Sequence, residues 1–357
     1  MKKLAKTVMS RSSTRRAATA ESSEPEQPSN YQKWHSFDGP SSAWVPVEAH
    51  EPDEGQHDDR STADGNLKEQ VFGLVTWNID GLSAHTELRA RAVVSHMLSL
   101  GDGVDVIFLQ EVSRAALSCV LGDERVRRGW LTSDVEPPRW HVDDRFGTLT
   151  LLSKRRLGHD NDDNGMDALV GPVWSVSYKS FFGRDALCCD VLVRASSAGR
   201  LARVRLVNVH LDSLGLRPSC RPHQVGVVAG LLRGAGRGLV AGDFNPVLPE
   251  DATLVEDNGL DDAWVRLRGG EPGATWGGDG KREVPPGRLD FPPGRLDKIA
   301  MVGLDVRTIE ILHPGTTSVR GGDGAADEQE DATQADEQVE WSDHCGLMCT
   351  FAVADQP

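Results

Sequence analysis

The stretch VFGLVTWNID, residues 71–80, begins with seven residues that read as a buried strand and ends with two that do not fit one, Asn78 and Asp80. An uncharged, apolar and β-branched run is the mark of a strand covered on both faces. Polar side chains at its end can enter a pocket while the backbone stays paired. The same construction recurs along the chain. VDVIFLQ (104–110) is followed by Glu111, and RLVNVHLDS (205–213) carries Asn208, His210 and Asp212. GLVAG (238–242) runs into Asp243 and Asn245, Asp297 opens DKIAMVG (297–303), and Asp343 with His344 opens HCGLMCTFAV (344–353).

Working outward, TELRARAVVSHMLSL (86–100) predicts a helix, with Val93, Val94, Met97 and Leu98 at 3–4 spacing. SRAALSCVL (113–121) predicts a second helix with Ser113 as N-cap. Further strands are expected at 147–153, 173–178, 186–194, 202–211 and 306–313, with helices at 221–234 and 261–267. Some ten strands with a few helices between them predict an α/β fold. The expected architecture is a four-layer α-β-β-α sandwich, two mixed sheets face to face with helices outside. The folded region is expected over 68–354. Residues 1–67 read as a mostly disordered extension, but Trp34, Phe37, Trp44 and Val45 make 31–47 too apolar for a free linker, so this piece is expected to pack on the core. PPGRLDF and PPGRLDK stand in tandem at 285–298, and only the second leads into an apolar run. An acidic insertion is expected at 321–340.

The formal net charge of −15 argues at first against an anionic partner. Its distribution reverses that reading. Residues 1–20 carry only basic charge, whereas 21–67, the loop GHDNDDNGMD (158–167) and 321–340 hold most of the acid. The remaining core is near neutral and compatible with an anionic substrate. Six cysteines show no CxxC or zinc-finger spacing. With no apolar run long enough for a membrane span and no secretory core at the N-terminus, the expected compartment is intracellular. The basic, acid-free first 20 residues suit nuclear import or a mitochondrial presequence; the nucleus is the first expectation, the mitochondrion the second. No membrane partner is expected.

Taken singly, each strand-end polar residue has a bland explanation: Asn78 or Asp80 as a turn former, Glu111 as a helix-dipole complement, His210 as a satisfied core histidine, Asp343 as a cap. Jointly they form a set of carboxylates, amides and imidazoles that suits hydrolysis of a phosphate ester. Carboxylates hold a hard cation, another carboxylate activates water, and imidazoles and amides stabilise phosphoryl oxygens.

TWNIDGL (76–82), FLQEV (108–112), VHLDS (209–213), AGDFN (241–245), RLDKI (295–299) and WSDHCGL (341–347) resemble, in order, the motifs of the endonuclease/exonuclease/phosphatase superfamily. TWNIDGL, GRDALCCDV (183–191) and SDHCGL are most similar to its tyrosyl-DNA phosphodiesterase 2 branch. The resemblance implies an Mg2+-dependent hydrolase, with Mn2+ as a substitute, that cleaves 5′-phosphotyrosyl bonds during repair of topoisomerase-linked DNA. The implied partner is a DNA 5′ end, single-stranded or tyrosyl-linked, and the implied state a monomer. It further implies that Asp80 and Glu111 hold the metal and that Asp243 deprotonates water. Asn78 and Asn245 would bind phosphate oxygens. His344, oriented by Asp343, and His210 would face the phosphorus. Ser213, Trp276 and Leu296 would contact the terminal nucleotide, and Arg184, Arg221 and Arg295 the backbone. Phe146 stands where that branch usually has a tyrosine. The alternatives are another activity of the superfamily (AP endonuclease, RNA exonuclease, lipid or nucleotide phosphatase) or, from a different class, a catalytically inactive nucleic-acid-binding module.

Overall fold

A computed structural model of the chain describes residues 30–50, 70–136, 146–158, 168–194, 201–277, 292–319 and 336–353. The expectations for the N-terminal tail, the 51–67 linker, the acidic loop at 159–167, the first PPGRLDF copy and most of the acidic insertion fall outside the described residues. Two mixed eight-stranded sheets make up the core. In the first, the order is Leu304–Leu312, Gly346–Val353, Val71–Asn78, Val106–Ser113, Phe146–Ser153, Trp130–Thr132, Trp34–Asp38 and Ala43–Val47. In the second it is Asn30–Gln32, Ala168–Ser177, Asp185–Arg194, Leu201–His210, Gly238–Asp243, Asp297–Val302 and Asp261–Asp262, with Leu157–Gly158 beside Ala168–Ser177.

The two-residue period of the strands separates the layers. Phe72 and Leu74 face the second sheet and join Val191, Leu206 and Ile299 in the central core. Val75 and Trp77 point the other way, against Val93 and Met97 of helix Thr86–Ser99 and Val120 of helix Arg114–Gly122. On the second sheet, Val207, Val209 and Val240 turn outward onto Val225, Val228 and Leu232 of helix Arg221–Ala235. The result is the four-layer α-β-β-α sandwich. Ser113 caps helix Arg114–Gly122, its hydroxyl accepting from the Ala116 amide at 3.3 Å.

Eighteen strands are described where the sequence suggested about ten. The additional ones are short pieces of two to five residues, too short for a periodic signal. Two groups of them alter the sequence reading. Glu337–Glu340, assigned above to the acidic insertion, is a strand antiparallel to Thr316–Val319, so the insertion ends before it. The segment around residues 30–47 does more than lie on the core: Asn30–Gln32 extends one sheet and Trp34–Asp38 with Ala43–Val47 extend the other. Trp34 is fully buried in the inter-sheet core, and its indole donates to the Gly171 carbonyl at 2.9 Å. Among the described residues no helix is long and apolar enough to cross a membrane.

Trp34→Ala removes a fully buried indole and should cost about 3–5 kcal/mol of unfolding free energy. Urea denaturation checks this; a loss below about 1 kcal/mol would mean that the 30–47 segment is a dispensable appendage.

Candidate active site

Topology delivers the side chains to one place. Val71–Asn78 and Val106–Ser113 pair in parallel across helix Thr86–Ser99. Leu201–His210 and Gly238–Asp243 do the same across helix Arg221–Ala235. The carboxyl ends of such strands are where open α/β sheets form their sites. Here those ends carry Asn78, Glu111, His210 and Asp243. Antiparallel neighbours enter from the same end: Asp297 lies opposite Asp243, and His344 sits two residues before Gly346–Val353, which pairs with Val71–Asn78. Gly346 is dictated by contact, since a Cβ there would lie 2.5 Å from the Trp77 ring.

Local backbone then aims the groups. The register between Val106–Ser113 and Phe146–Ser153 slips between Leu109 and Val112, turning Glu111 out of the ladder. Glu111, Asp80 and Asn245 all have left-handed backbone, with φ of 56, 47 and 48°. Such conformations in non-glycine residues cost energy and cluster at functional sites. Gly81 permits the turn after Asp80 to cross Glu111, because a Cβ would lie 1.9 Å from the Glu111 carbonyl oxygen.

Asn78 is the centre of the cluster. Its amide nitrogen donates to Glu111 Oε1 at 3.2 Å and to Asp243 Oδ2 at 3.1 Å. Its amide oxygen accepts from the Asp80 backbone N–H at 3.0 Å, which fixes the orientation of the group. His344 Nδ1 lies 2.9 Å from Asp297 Oδ2, and His344 Nε2 lies 3.9 Å from Asp243 Oδ2. The turn bearing His344 is pinned by Ser342, whose hydroxyl donates to the Asn78 carbonyl at 2.6 Å and accepts from the His344 amide at 3.1 Å. Trp77 Nε1 donates to the His344 carbonyl at 3.0 Å. Phe146 stacks on His210, with centroids 5.5 Å apart, and the Arg184 guanidinium lies 4.7 Å over the Phe146 ring. Ser213 Oγ is 3.4 Å from Arg184 and 3.5 Å from the Asn245 amide.

Burial sets the charges. It raises the Asp243 pKa to about 7, with Asp297 and Glu111 adding to the rise and His344 and the Asn78 amide opposing it. Glu111 is also raised, chiefly by burial. Burial, with Arg184 and His344 nearby, holds His210 well below the ordinary histidine value. His210 is therefore a neutral ring, and its 3.5 Å approach to Asp243 is no ion pair. Burial works against the charged form of His344 too, but Asp297 and Asp243 outweigh it and hold its pKa well above the ordinary value. A carboxylate near pKa 7 beside an imidazolium can accept a proton and stabilise negative charge in one pocket.

Donor atoms of Asp243, Asp297 and His344 lie within 4.8 Å of one another, a spacing that can hold a cation. Their chemistry disfavours it, because the protonated His344 is already satisfied by Asp297 and repels a second positive charge. The donor set fits a hard divalent cation better at Glu111, a burial-strained carboxylate still 21% exposed.

Several expected roles change. Asp297, not Asp343, is at the His344 ring; Asp343 instead accepts from Trp276 Nε1 at 3.3 Å. Asp80 has one protein donor on each carboxylate oxygen, Arg89 at 2.6 Å and Ser83 at 2.7 Å. Arg221 is buried against Asp251 and cannot reach a backbone phosphate. Arg295 forks onto both oxygens of Asp262 at 2.8 Å. Leu296 is buried beside it, while Trp276 bridges Gly294 and His344. Asp297 was visible as a strand-end carboxylate but drew no role. Arg89 was missed, although it extends the Val93–Met97 stripe one turn back, and an arginine on an apolar stripe is a signal.

Fold and site together define a hydrolase of phosphoester bonds. The chain belongs to the endonuclease/exonuclease/phosphatase family, whose profile matches residues 75–344. Its fold is similar to that of D. rerio TDP2 humanised by 14 mutations, at 20% identity over 79% of this chain and 98% of that one, with a TM-score of 0.55. Truncated C. elegans TDP2 gives the same identity, coverage and TM-score. A Bacteroides thetaiotaomicron family member matches at 12% identity over 81% of this chain and 100% of that one, with a TM-score of 0.54. No curated protein sequence matches the chain significantly.

The His344–Asp297 pair makes a signed prediction. The folded His344 pKa lies above an unfolded value of about 6.5. The pair therefore stabilises the protein fully below about pH 6.5, and that contribution fades as pH rises through the folded value. Asp297→Asn should lower the His344 pKa and flatten this dependence, whereas Asp343→Asn should change both little. NMR titration of His344 with chelator present, alongside urea midpoints against pH, checks it; a larger effect from Asp343→Asn would restore Asp343 as the orienting group.

Proposed function

We propose that the protein is an Mg2+-dependent phosphodiesterase that hydrolyses 5′-phosphotyrosyl bonds at DNA ends. The observation that carries the reading is Asp243 and His344 in one buried pocket, the first with a pKa of about 7, the second protonated. Asp243 takes a proton from the attacking water. His344, held by Asp297, donates to a phosphoryl oxygen as negative charge develops there. Asn78 holds Glu111 and Asp243 in place, Asn245 orients a remaining oxygen, and neutral His210 faces it beside Phe146. Glu111 would hold the cation, which neutralises phosphoryl charge when bound.

A tyrosyl leaving group suits this site. Its pKa of about 10 lets the phenolate depart without a strong general acid. The described site offers none on the leaving side, since His210 is neutral and Arg184 remains a cation. The likeness in fold to TDP2 supports the reading, and one D. rerio TDP2 structure was solved with a single-strand DNA product. By the same reading the protein acts in DNA repair, in the nucleus.

One observation favours a second reading, hydrolysis of a small phosphoester. Two of the three arginines expected on a DNA backbone, Arg221 and Arg295, are spent on Asp251 and Asp262. A weak salt dependence of binding would fit this, because few phosphates would be neutralised.

Glu111→Gln should abolish Mg2+-dependent turnover of p-nitrophenyl thymidine 5′-phosphate. Asp243→Asn should lower kcat by about 10²–10⁴ with little change in KM. On natural-type substrates, 5′-phosphotyrosyl DNA should be cleaved well ahead of 3′-phosphotyrosyl DNA, abasic DNA and poly(A) RNA. Preference for any of the other three would replace the substrate assignment, and near-normal activity of Glu111→Gln at saturating Mg2+ would remove Glu111 from the cation.

A further inference from the structure

Arg89 sits in the first turn of helix Thr86–Ser99, yet it is 5% exposed. Each of its three nitrogens has a partner. Nη2 donates to Asp80 Oδ2 at 2.6 Å and Nη1 to the Asp80 carbonyl at 3.3 Å. Nε donates to the Glu340 carbonyl at 2.8 Å, 251 residues away. A buried arginine is expected to be paired; this one pairs with two segments that meet nowhere in sequence.

Those segments are the two sides of the catalytic pocket. Asp80 closes the turn whose Asn78 holds Glu111 and Asp243. Glu340 ends a strand and leads through Trp341 and Ser342 into His344. Ser342 to Asn78, and Trp77 to the His344 carbonyl, tie the same two segments a second and third time. Of the three ties Arg89 alone is ionic. Its acceptor Asp80 has left-handed backbone, a conformation that persists only where neighbours enforce it. The helix supplying Arg89 is itself anchored in that turn, where the Thr86 hydroxyl donates to the Ser83 carbonyl at 2.8 Å.

We infer that Arg89 is a positioning residue: by bridging the Asp80 turn and the Glu340 carbonyl it sets the position of His344 relative to Asn78 and Asp243. Asp80 is the anchor for this bridge. The planar fork is needed because its nitrogens point to two different segments, which a lysine ammonium at the same Cα cannot span with fixed geometry.

Three variants test it. Arg89→Lys keeps the charge opposite Asp80 and loses the reach to Glu340. Asp80→Asn weakens the ion pair and keeps the Nε bond to Glu340. The double variant Arg89→Met, Asp80→Asn leaves no buried charge unpaired and no bridge. Three readouts apply: the His344 imidazole resonances, which need no substrate; kcat and KM on p-nitrophenyl thymidine 5′-phosphate; and the urea midpoint. The expected result is that both Arg89 variants shift the His344 resonances and lower kcat about 10–100-fold while KM stays within about threefold. Asp80→Asn should move His344 far less. If Arg89→Lys fails to fold, the double variant carries the test. Unmoved His344 resonances in the Arg89 variants, or a loss confined to the urea midpoint, would overturn the inference and leave Arg89 a structural ion pair. The activity readout rests on the phosphodiesterase reading. If the wild-type protein does not hydrolyse the ester, that reading fails, and the His344 resonances still decide the role of Arg89.

Discussion

One amide, that of Asn78, touches carboxylates from both sheets. It donates to Glu111 on the first sheet and to Asp243 on the second. Two carboxylates this close and this buried repel each other, and burial has already raised both pKa values. A donor shared between them offsets part of that repulsion and fixes their separation. The surrounding structure serves this contact. The Asp80 amide fixes the Asn78 oxygen, Ser342 holds the Asn78 carbonyl, and the slip after Leu109 turns Glu111 inward. Beneath them, Gln110 joins Thr76 and Asn208, so polar groups also link the sheets just inside the pocket. Asn208 completes that link by donating to the Leu109 and Leu149 carbonyls.

The arrangement has an approximate internal repetition in its topology. Each sheet holds one parallel strand pair spanned by a helix, and each pair delivers two polar residues from its carboxyl ends. Each also has an antiparallel neighbour that brings one more from its amino end, Asp297 in one sheet and His344 in the other. These last two meet at 2.9 Å. The His344–Asp297 pair is thus a contact between sheets, like that of Asn78 with Asp243. The chemistry lies where the two sheets converge, and neither sheet carries a working set alone.

Much of this was legible in the sequence, and the reasons are particular. Buried strands announce themselves by composition, and polar residues at their ends stand out against it. Asn78, Glu111, Asp243 and His344 were found that way. What failed was partner choice. The family resemblance implied Asp343 as the orienting carboxylate; strand pairing brings Asp297 there from 47 residues away. Arg221 and Arg295 read as free cations because their partners, Asp251 and Asp262, are 30 and 33 residues distant. Side-chain charge is visible in a sequence, but its neutralisation depends on register. Short strands such as Trp130–Thr132 were missed for another reason: three residues hold no period.

Charge balance, once the partners are known, bears on what a cation would do in this pocket. Asp80 is cancelled by Arg89, and Asp262 by Arg295. Facing the pocket remain Glu111, Asp243, Asp297 and Asp343 against His344 and Arg184. Arg184 is held below its ordinary pKa by burial but stays cationic, and His210 contributes no charge because it is neutral. When all four acids are ionised, the pocket is left with an excess of negative charge. A phosphodiester brings another, and the low polarity of the site strengthens the repulsion. Asp243, with its pKa of about 7, can shed the excess by holding a proton, but a protonated Asp243 cannot accept one from water. A divalent cation held by Glu111 would remove the conflict: it would offset a phosphodiester's charge and favour the ionised form of Asp243, which could then act as base. What a metal would contribute here thus depends on which of this chain's own charges are already paired.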